Sequence, residues 1–509
     1  MTGDRSRGPF DAVVIGGGHN ALTAAVVLAR AGKRVVVLER RDVFGGVAAG
    51  ETFGDGEHSF RTRGVLDDSC RVRPSIVDEL ELGKHGLTWS PRPPLFGARK
   101  GGKGLLLSPE SGADTLGASA SGYRTLRSFI RKLEAPVRRL MEAPPPDIGD
   151  DAKITPLIRP AFDFRRLGGR DLMELLRVAP ACVDDWVTEE VSEPLLRAML
   201  CAEGLAGTYM GPRSPTSTTT LILSEILADR EVDGGPAALV DALVAAARDA
   251  GVVLHTGIEA TRIRVKNGGV TGVEIRDGEA FEAPIVLSGI GPRRTMLDLL
   301  HPLDLPAAVE RDVSDIRVRG TLAKIHLGLR EPLRFEGDGE PRERLLVGAE
   351  DPLDLERAFD HAKHRRLPMD PTPPLHIRQW RTDAGWVASI SLHCAAHDLD
   401  GGWTEEARRG LHHAALATLE GYVPGVRGSV LATQTVTPAD LESDWGLEGG
   451  CAYHGEHALD QLGPLRPTPR LARYSTPIRG LHLGCSGMHP GFGITCGPGF
   501  LAARTALTR

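Results

Sequence analysis

The chain has 509 residues, 41% of them hydrophobic, and a formal net charge of −6 at pH 7. It is too long for one hydrophobic core, long enough for two substantial domains, and too acidic to be drawn to nucleic acid or anionic lipid by charge alone. Its seven cysteines are scattered, odd in number and without a C-x-x-C pair, which excludes a disulfide framework and points to a reducing, cytoplasmic setting. The first nine residues lack an apolar signal core, and no apolar run reaches membrane-spanning length. Peripheral membrane contact stays open.

The first informative stretch is residues 11–46. Ala12 to Ile15 is a short apolar run that predicts a buried strand. Gly16, Gly18 and Ala21 then fit G-x-G-x-x-G/A. Gly16 permits the tight turn, Gly18 lets the backbone approach a pyrophosphate, and Ala21 is small enough for helix to pack on strand. The spacing predicts a helix over 21–31, stopped by Gly32, with its positive dipole end toward the phosphates. Val35 to Leu38 reads as a second buried strand, and Glu39 ends it, 21 residues beyond Gly18, where a carboxylate can accept hydrogen bonds from an adenosine ribose. The pair Gly45-Gly46 follows, suited to a backbone passing close to a ligand.

Pro74 to Leu82 reads as a helix ended at Gly83, and Gly101, Gly102 and Gly104 as part of a hairpin. Helical patterns occupy 121–142 and 171–201, with 144–151 as a surface connection. Tyr209 and Met210 are equally suited to lining a pocket and to ordinary packing. Residues 234–251 form an amphipathic helix stopped by Gly251, followed by a strand at 252–254 and a hairpin of 260–265 and 270–275 across Asn267-Gly268-Gly269. Ile285 to Pro292 closes that block. Strands at 321–329 and 386–393 and a helix at 404–420 come next. Two histidine-bearing stretches, 393–398 and 449–457, have no metal spacing, so no metal site is expected. The tail, 476–503, is a strand and a glycine-rich run leading into a helix near Pro498.

These motifs together resemble the FAD-dependent phytoene desaturase and amine oxidase superfamily. Residues 57–89, 204–215, 393–398 and 449–457 are similar to its phytoene-dehydrogenase-related branch, which includes proteins named for a pyridine-nucleotide-disulfide-oxidoreductase domain. The tail is similar to the family pattern G-x-H-P-G-G-G-x-x-G-x-P-G, with Phe492 and Cys496 standing where the family has glycine. A Phe there would narrow the space around a flavin ring, and Cys496 is expected to be a small buried residue rather than a reactive one.

The resemblance implies an α/β protein: a Rossmann-type, GR2-like FAD-binding domain from 1–75, 231–300 and 471–509, with an inserted α+β substrate-binding domain from 76–230 and 301–470. It places FAD against Gly16, Gly18, His19, Asn20 and Ala21, then Glu39 and Arg40, then Gly45, Gly46 and Val47. Ala260 would touch the adenine through its backbone, and Gly289 would lie nearby. Gly487, Gly491, Gly493, Ile494 and Thr495 would meet the flavin. There is no second phosphate loop and no redox cysteine pair, which argues against bound NAD(P)H. The implied chemistry is removal of a hydride from a small or medium organic metabolite to flavin N5, with His454, Glu456 and His489 as candidates for handling a proton. Carotenoid desaturation or isomerisation, amine oxidation with Lys324 as its lysine, and FAD binding without catalysis are the alternatives. The electron acceptor, oxygen or quinone, is left open.

Overall fold

A computed structural model describes residues 9–148, 162–227, 230–336, 339–369 and 372–508. The expectation for the first nine residues falls outside these except at Pro9, as do positions 149–151 of the expected surface connection.

Ala12–Ile15 lies at the centre of a five-stranded parallel sheet, ordered Leu481–Leu483, Ile285–Ser288, Ala12–Ile15, Val35–Leu38, Val253–His255. The run Ala-Val-Val-Ile has every residue buried because the parallel sheet is covered by helices and by a second, antiparallel sheet that contacts its strand Ile285–Ser288, so it reads as continuously apolar rather than alternating. The helix His19–Arg30 follows, two residues earlier than the spacing predicts. It packs against the last helix, Gly497–Leu507. A Cβ at Gly499 would run into the carbonyl of Asn20, so glycine there sets how closely the two helices approach. The last helix buries Phe500 and Leu501, each worth about 1.5–3 kcal/mol of transfer free energy.

A three-stranded antiparallel sheet, Ala260–Lys266, Gly269–Ile275 and Ala280–Glu282, flanks the parallel one. Its first hairpin turns at Asn267 (φ 52°) and Gly268 (φ 69°), the left-handed pair that a tight two-residue hairpin requires.

A seven-stranded mixed sheet forms the other half: Val430–Val436, Ala323–Leu329, Gly385–Leu392, Leu375–Thr382, Arg344–Val347, Leu95–Gly97, Leu105–Leu107. The last two strands are the expected hairpin. The helical pattern expected at 171–201 is three helices, Gly169–Val178, Val183–Glu190 and Pro194–Leu205. Pro180 and Pro194 cannot donate the backbone bonds a continuous helix needs. The expected helix 74–82 likewise stops at Glu79, and Glu81 takes a left-handed conformation (φ 49°) before a short turn of 3-10 helix. Among the described residues, no helix is long and apolar enough to cross a membrane.

Candidate functional site

A cleft along the parallel sheet encloses about 850 Å3 of space, part of it open to solvent. One wall is the turn after the central strand. Gly16 adopts φ 86°, closed to most side chains, while Gly18 has an ordinary φ of −69°. A Cβ on Gly18 would meet nothing within 4 Å, because it would point into the cleft. Gly18 caps the helix without any side-chain bond, and its first turn carries no acid. The free N–H groups of that turn are therefore left for a ligand.

Glu39 ends the next strand and is nearly buried, 7% exposed. Its carboxylate accepts from the Gly17 N–H at 2.6 Å and from the Arg41 N–H at 2.8 Å. Each oxygen keeps a lone pair toward the cleft for a hydroxyl donor. Gly45 donates to the Gly17 carbonyl at 2.8 Å, which lays the Gly45-Gly46-Val47 segment along the phosphate turn. Arg40 reaches across to the carbonyls of Ser443 and Asp444, at 2.7 and 2.8 Å, and so fixes the loop bearing Trp445 and Gly446 at the rim. Burial, and then Arg294 beside it, holds the Arg40 guanidinium below its ordinary range. An anion between these two cations relieves that repulsion.

Ser486, Ala452 and His454 also line the cleft. His454 sits at φ 54°, a left-handed conformation that costs a histidine free energy and fixes where its ring lies. Its Nδ1 is buried without a partner, as is Nε2 of His19. Burial lowers His454 to about 4, helped by Arg466. Burial also lowers His19 to about 3, helped by His454. Both rings are neutral at pH 7.

Gly16, Gly18, His19, Asn20, Glu39, Arg40, Gly45, Gly46, Val47, Ala260, Gly289 and His454 thus line one cleft. The other expected site residues do not. Ala21 is fully buried behind the turn, where a Cβ on Gly289 would strike it at 2.6 Å, so its part is packing rather than ligand contact. Gly487, Gly491, Gly493, Ile494 and Thr495 are buried in the tail beyond Ser486. Gly491 backs onto Arg466, and Gly487 onto Pro292 and the His454 carbonyl.

Glu456 is corrected as a proton acceptor: it does not line the cleft, and its carboxylate is held by Arg319 at 2.6 and 2.8 Å and by Arg317 at 3.4 Å. His489 is corrected too. Its Nε2 lies 3.1 Å from the Leu140 carbonyl, and burial lowers it to about 4. Phe492 and Cys496 keep glycine-like backbones, φ 56° and 59°. The Cys496 thiol is buried and pushed up to about 12 by burial, so it is inert. Lys324 is fully buried and locked on Asp67 at 2.7 Å.

Sequence reasoning missed Ser486, Trp445, Glu259 and Arg294 on the cleft wall. A Trp-Gly pair after an acidic turn was the available signal for Trp445, whose ring stacks under Arg41 at 4.7 Å. Among the described residues no cluster of three His, Cys, Asp or Glu can hold a metal ion.

The uncapped helix end, the space at Gly18, the orphaned His19 nitrogen and the paired cations fit a dinucleotide. Residues 14–75 match the NAD(P)-binding Rossmann-like domain family. The chain is 30% identical to pyridine nucleotide-disulfide oxidoreductase domain-containing protein 2 of Mus musculus, covering 98% of this chain and 93% of that protein. It is 23% identical to the lycopene-forming phytoene desaturase of a Paracoccus species, over 97% and 96%. Putrescine oxidase with bound putrescine shares the fold, with a TM-score of 0.61, 16% identity and 98% of each chain covered. The chain therefore belongs to the family of pyridine nucleotide-disulfide oxidoreductase domain-containing protein 2, within the FAD-dependent oxidoreductase superfamily.

Proposed function

We propose that the protein is an FAD-dependent dehydrogenase or desaturase that removes a hydride from a small or medium organic metabolite. We further propose that 1–75, 231–300 and 471–509 form the FAD-binding domain and the rest the substrate-binding domain. The observation that carries the reading is a single cleft lined by the open turn at Gly18, by Glu39 and Ala260, and by Ser486 and the neutral His454. FAD, when bound, supplies the hydride acceptor.

The chain's own residues bind, orient and protect. Gly16, Gly18, His19, Asn20 and the helix end would hold the phosphates, Glu39 the ribose and Ala260 the adenine. Gly45, Gly46, Val47 and Gly289 would flank the cofactor, with Gly487, Gly491, Gly493, Ile494 and Thr495 as backing for the ring end. His454 lines the cleft and is neutral, with its buried Nδ1 unpartnered, and is our candidate to accept a proton from substrate. Unchanged turnover in His454→Asn removes that role.

The locked Lys324 weighs against amine oxidation of the lysine-assisted kind. The test is to purify the protein, quantify FAD, and mix it without oxygen with panels of small alcohols, amines, acids and alkenes. Bleaching of the flavin supports the reading. Protein that stays colourless and refuses FAD defeats it, as does a bound flavin that no class reduces. Reoxidation by oxygen or by quinone then identifies the acceptor.

A further inference from the structure

A small second pocket lies under the seven-stranded sheet, about 320 Å3 when the space open to solvent is counted, and its wall is charged: Arg71, Arg92, Arg344, Glu203, Asp68 and His376. Most of these charges are paired. Glu203 takes Arg92 at 2.5 Å and Arg344 at 2.6 Å. Arg378 takes Glu231 at 2.6 Å and lies 3.7 Å from Asp68, and Lys324 takes Asp67. Burial pushes the Glu203 carboxyl up, but Arg344 and then Arg92 overcome this and hold it well below the usual carboxylate range. His376 is lowered by burial and carries no charge at pH 7.

Arg71 is left over. It is 4% exposed, yet among the described residues no carboxylate lies within ion-pair distance. Its Nη2 donates to Ser224 Oγ at 2.8 Å, its guanidinium sits 5.1 Å from the centre of the Phe492 ring, and its Nε is orphaned. Arg92, Arg344, Arg378 and Lys324 thus each hold a carboxylate and Arg71 holds none, while it feels the cations Arg92 and Arg344 and, from Glu203, a charge that partly offsets them. A buried guanidinium is retained at such cost where an anion completes it.

Its position ties it to the cofactor end. The Arg71 N–H donates to the Ile494 carbonyl at 3.0 Å, so its backbone is pinned to the tail turn. His376 is shared with an adjoining cavity of about 380 Å3 lined by Leu205, Met210, Phe359 and Leu355. A polar head and an apolar body therefore have neighbouring places.

We propose that the cavity at Arg71 receives a carboxylate of the substrate, paired to Arg71, with the apolar remainder directed past His376. Calling the ligand a substrate rests on the dehydrogenase reading above. The orphaned buried charge and the cavity stand without it.

The experiment is calorimetric titration of the FAD-loaded protein with acetate, butyrate and benzoate, and with acetamide, butyramide and benzamide. Expected is at least one acid binding tenfold or more tightly than its amide. Arg71→Met should abolish that preference and Arg71→Lys keep part of it, with FAD content unchanged. The proposal is overturned if no acid binds, if amides bind as well, or if inorganic phosphate binds as tightly as the best acid. Should Arg71→Met fail to fold, the acid-over-amide preference of the unaltered protein decides alone. Acid binding beside a flavin that no substrate reduces keeps this site and defeats the dehydrogenase reading. Turnover of uncharged substrates without acid binding does the reverse.

Discussion

Asn20 and Ser486, 466 residues apart, are joined by a buried hydrogen bond of 3.1 Å from the Asn20 amide to the serine hydroxyl. The other side of the same amide accepts from the Gly499 N–H at 3.4 Å. One side chain thus ties the first helix's N-terminus to the tail, whose Ser486 lines the same cleft. Removing the serine hydroxyl leaves a buried amide donor unsatisfied, at about 1–3 kcal/mol. Ser486→Ala is expected to cost that much, and Asn20→Ala more, since the Gly499 N–H is then orphaned as well. In the double variant Ser486→Ala should add almost nothing. A double-mutant cycle by urea denaturation checks this, and strictly additive costs would show that the bond couples nothing.

Gly16 and Gly18 separate backbone need from ligand need. Gly16 has φ 86° and its Cβ would stand 3.0 Å from Ile290, so Gly16→Val should destabilise the fold. Gly18 has an ordinary φ and open space, so Gly18→Val should fold with a near-native melting temperature. Its isopropyl group would fill the cleft, and FAD retained through purification should fall tenfold or more. Full FAD content in Gly18→Val would mean that this face of the turn is not where the cofactor lies.

The N-terminal half of the site was legible because strand, turn, helix and acid are local: each of Gly16, Gly18 and Glu39 is placed by its own neighbours. The tail was not. A glycine pattern reports backbone conformation, and at Gly491 the structure shows a packing need: a Cβ there would meet Arg466 at 2.6 Å. Phe492 and Cys496 show the same limit from the other side, holding glycine-like angles without being glycine. Glu456 misled for a similar reason. Its neighbour His454 suggested a pair, but its partner Arg319 is 137 residues away. Long-range contacts of that kind leave no local periodicity to read.

The buried histidines make stability depend on pH. His19, His454 and His489 are lowered from 6.5 to about 3, about 4 and about 4. Below 6.5 the unfolded chain binds protons that the folded one refuses, so stability is full above that value and falls as pH drops toward the folded values. Each contributes about 1.4 kcal/mol per pH unit in that window, so the three together should remove about 4 kcal/mol between about pH 7.5 and about pH 5.5. His457 and His326, lowered by burial in the same direction, act with the same sign. Denaturation midpoints across that range check the slope. His454→Asn, which tolerates the left-handed backbone, should flatten it by about one histidine's share.

Arg466 holds the loop that carries His454. It is 1% exposed and donates to five carbonyls, those of Tyr453, Gly455, Glu456, Gln461 and Ser486, at 2.8 to 3.2 Å. Among the described residues no carboxylate pairs with it, and burial lowers it to about 10, which leaves it charged at pH 7. A lysine keeps the charge but brings three donors on a flexible stem, too few for five carbonyls. Arg466→Lys should therefore cost about 2–4 kcal/mol, two orphaned buried acceptors at about 1–2 kcal/mol each. Arg466→Met should cost more in stability, yet raise the His454 pKa, because the cation that helps depress it is gone. Titration of the His454 ring by NMR separates the two effects. An unshifted ring in a folded Arg466→Met would mean that burial alone keeps His454 neutral.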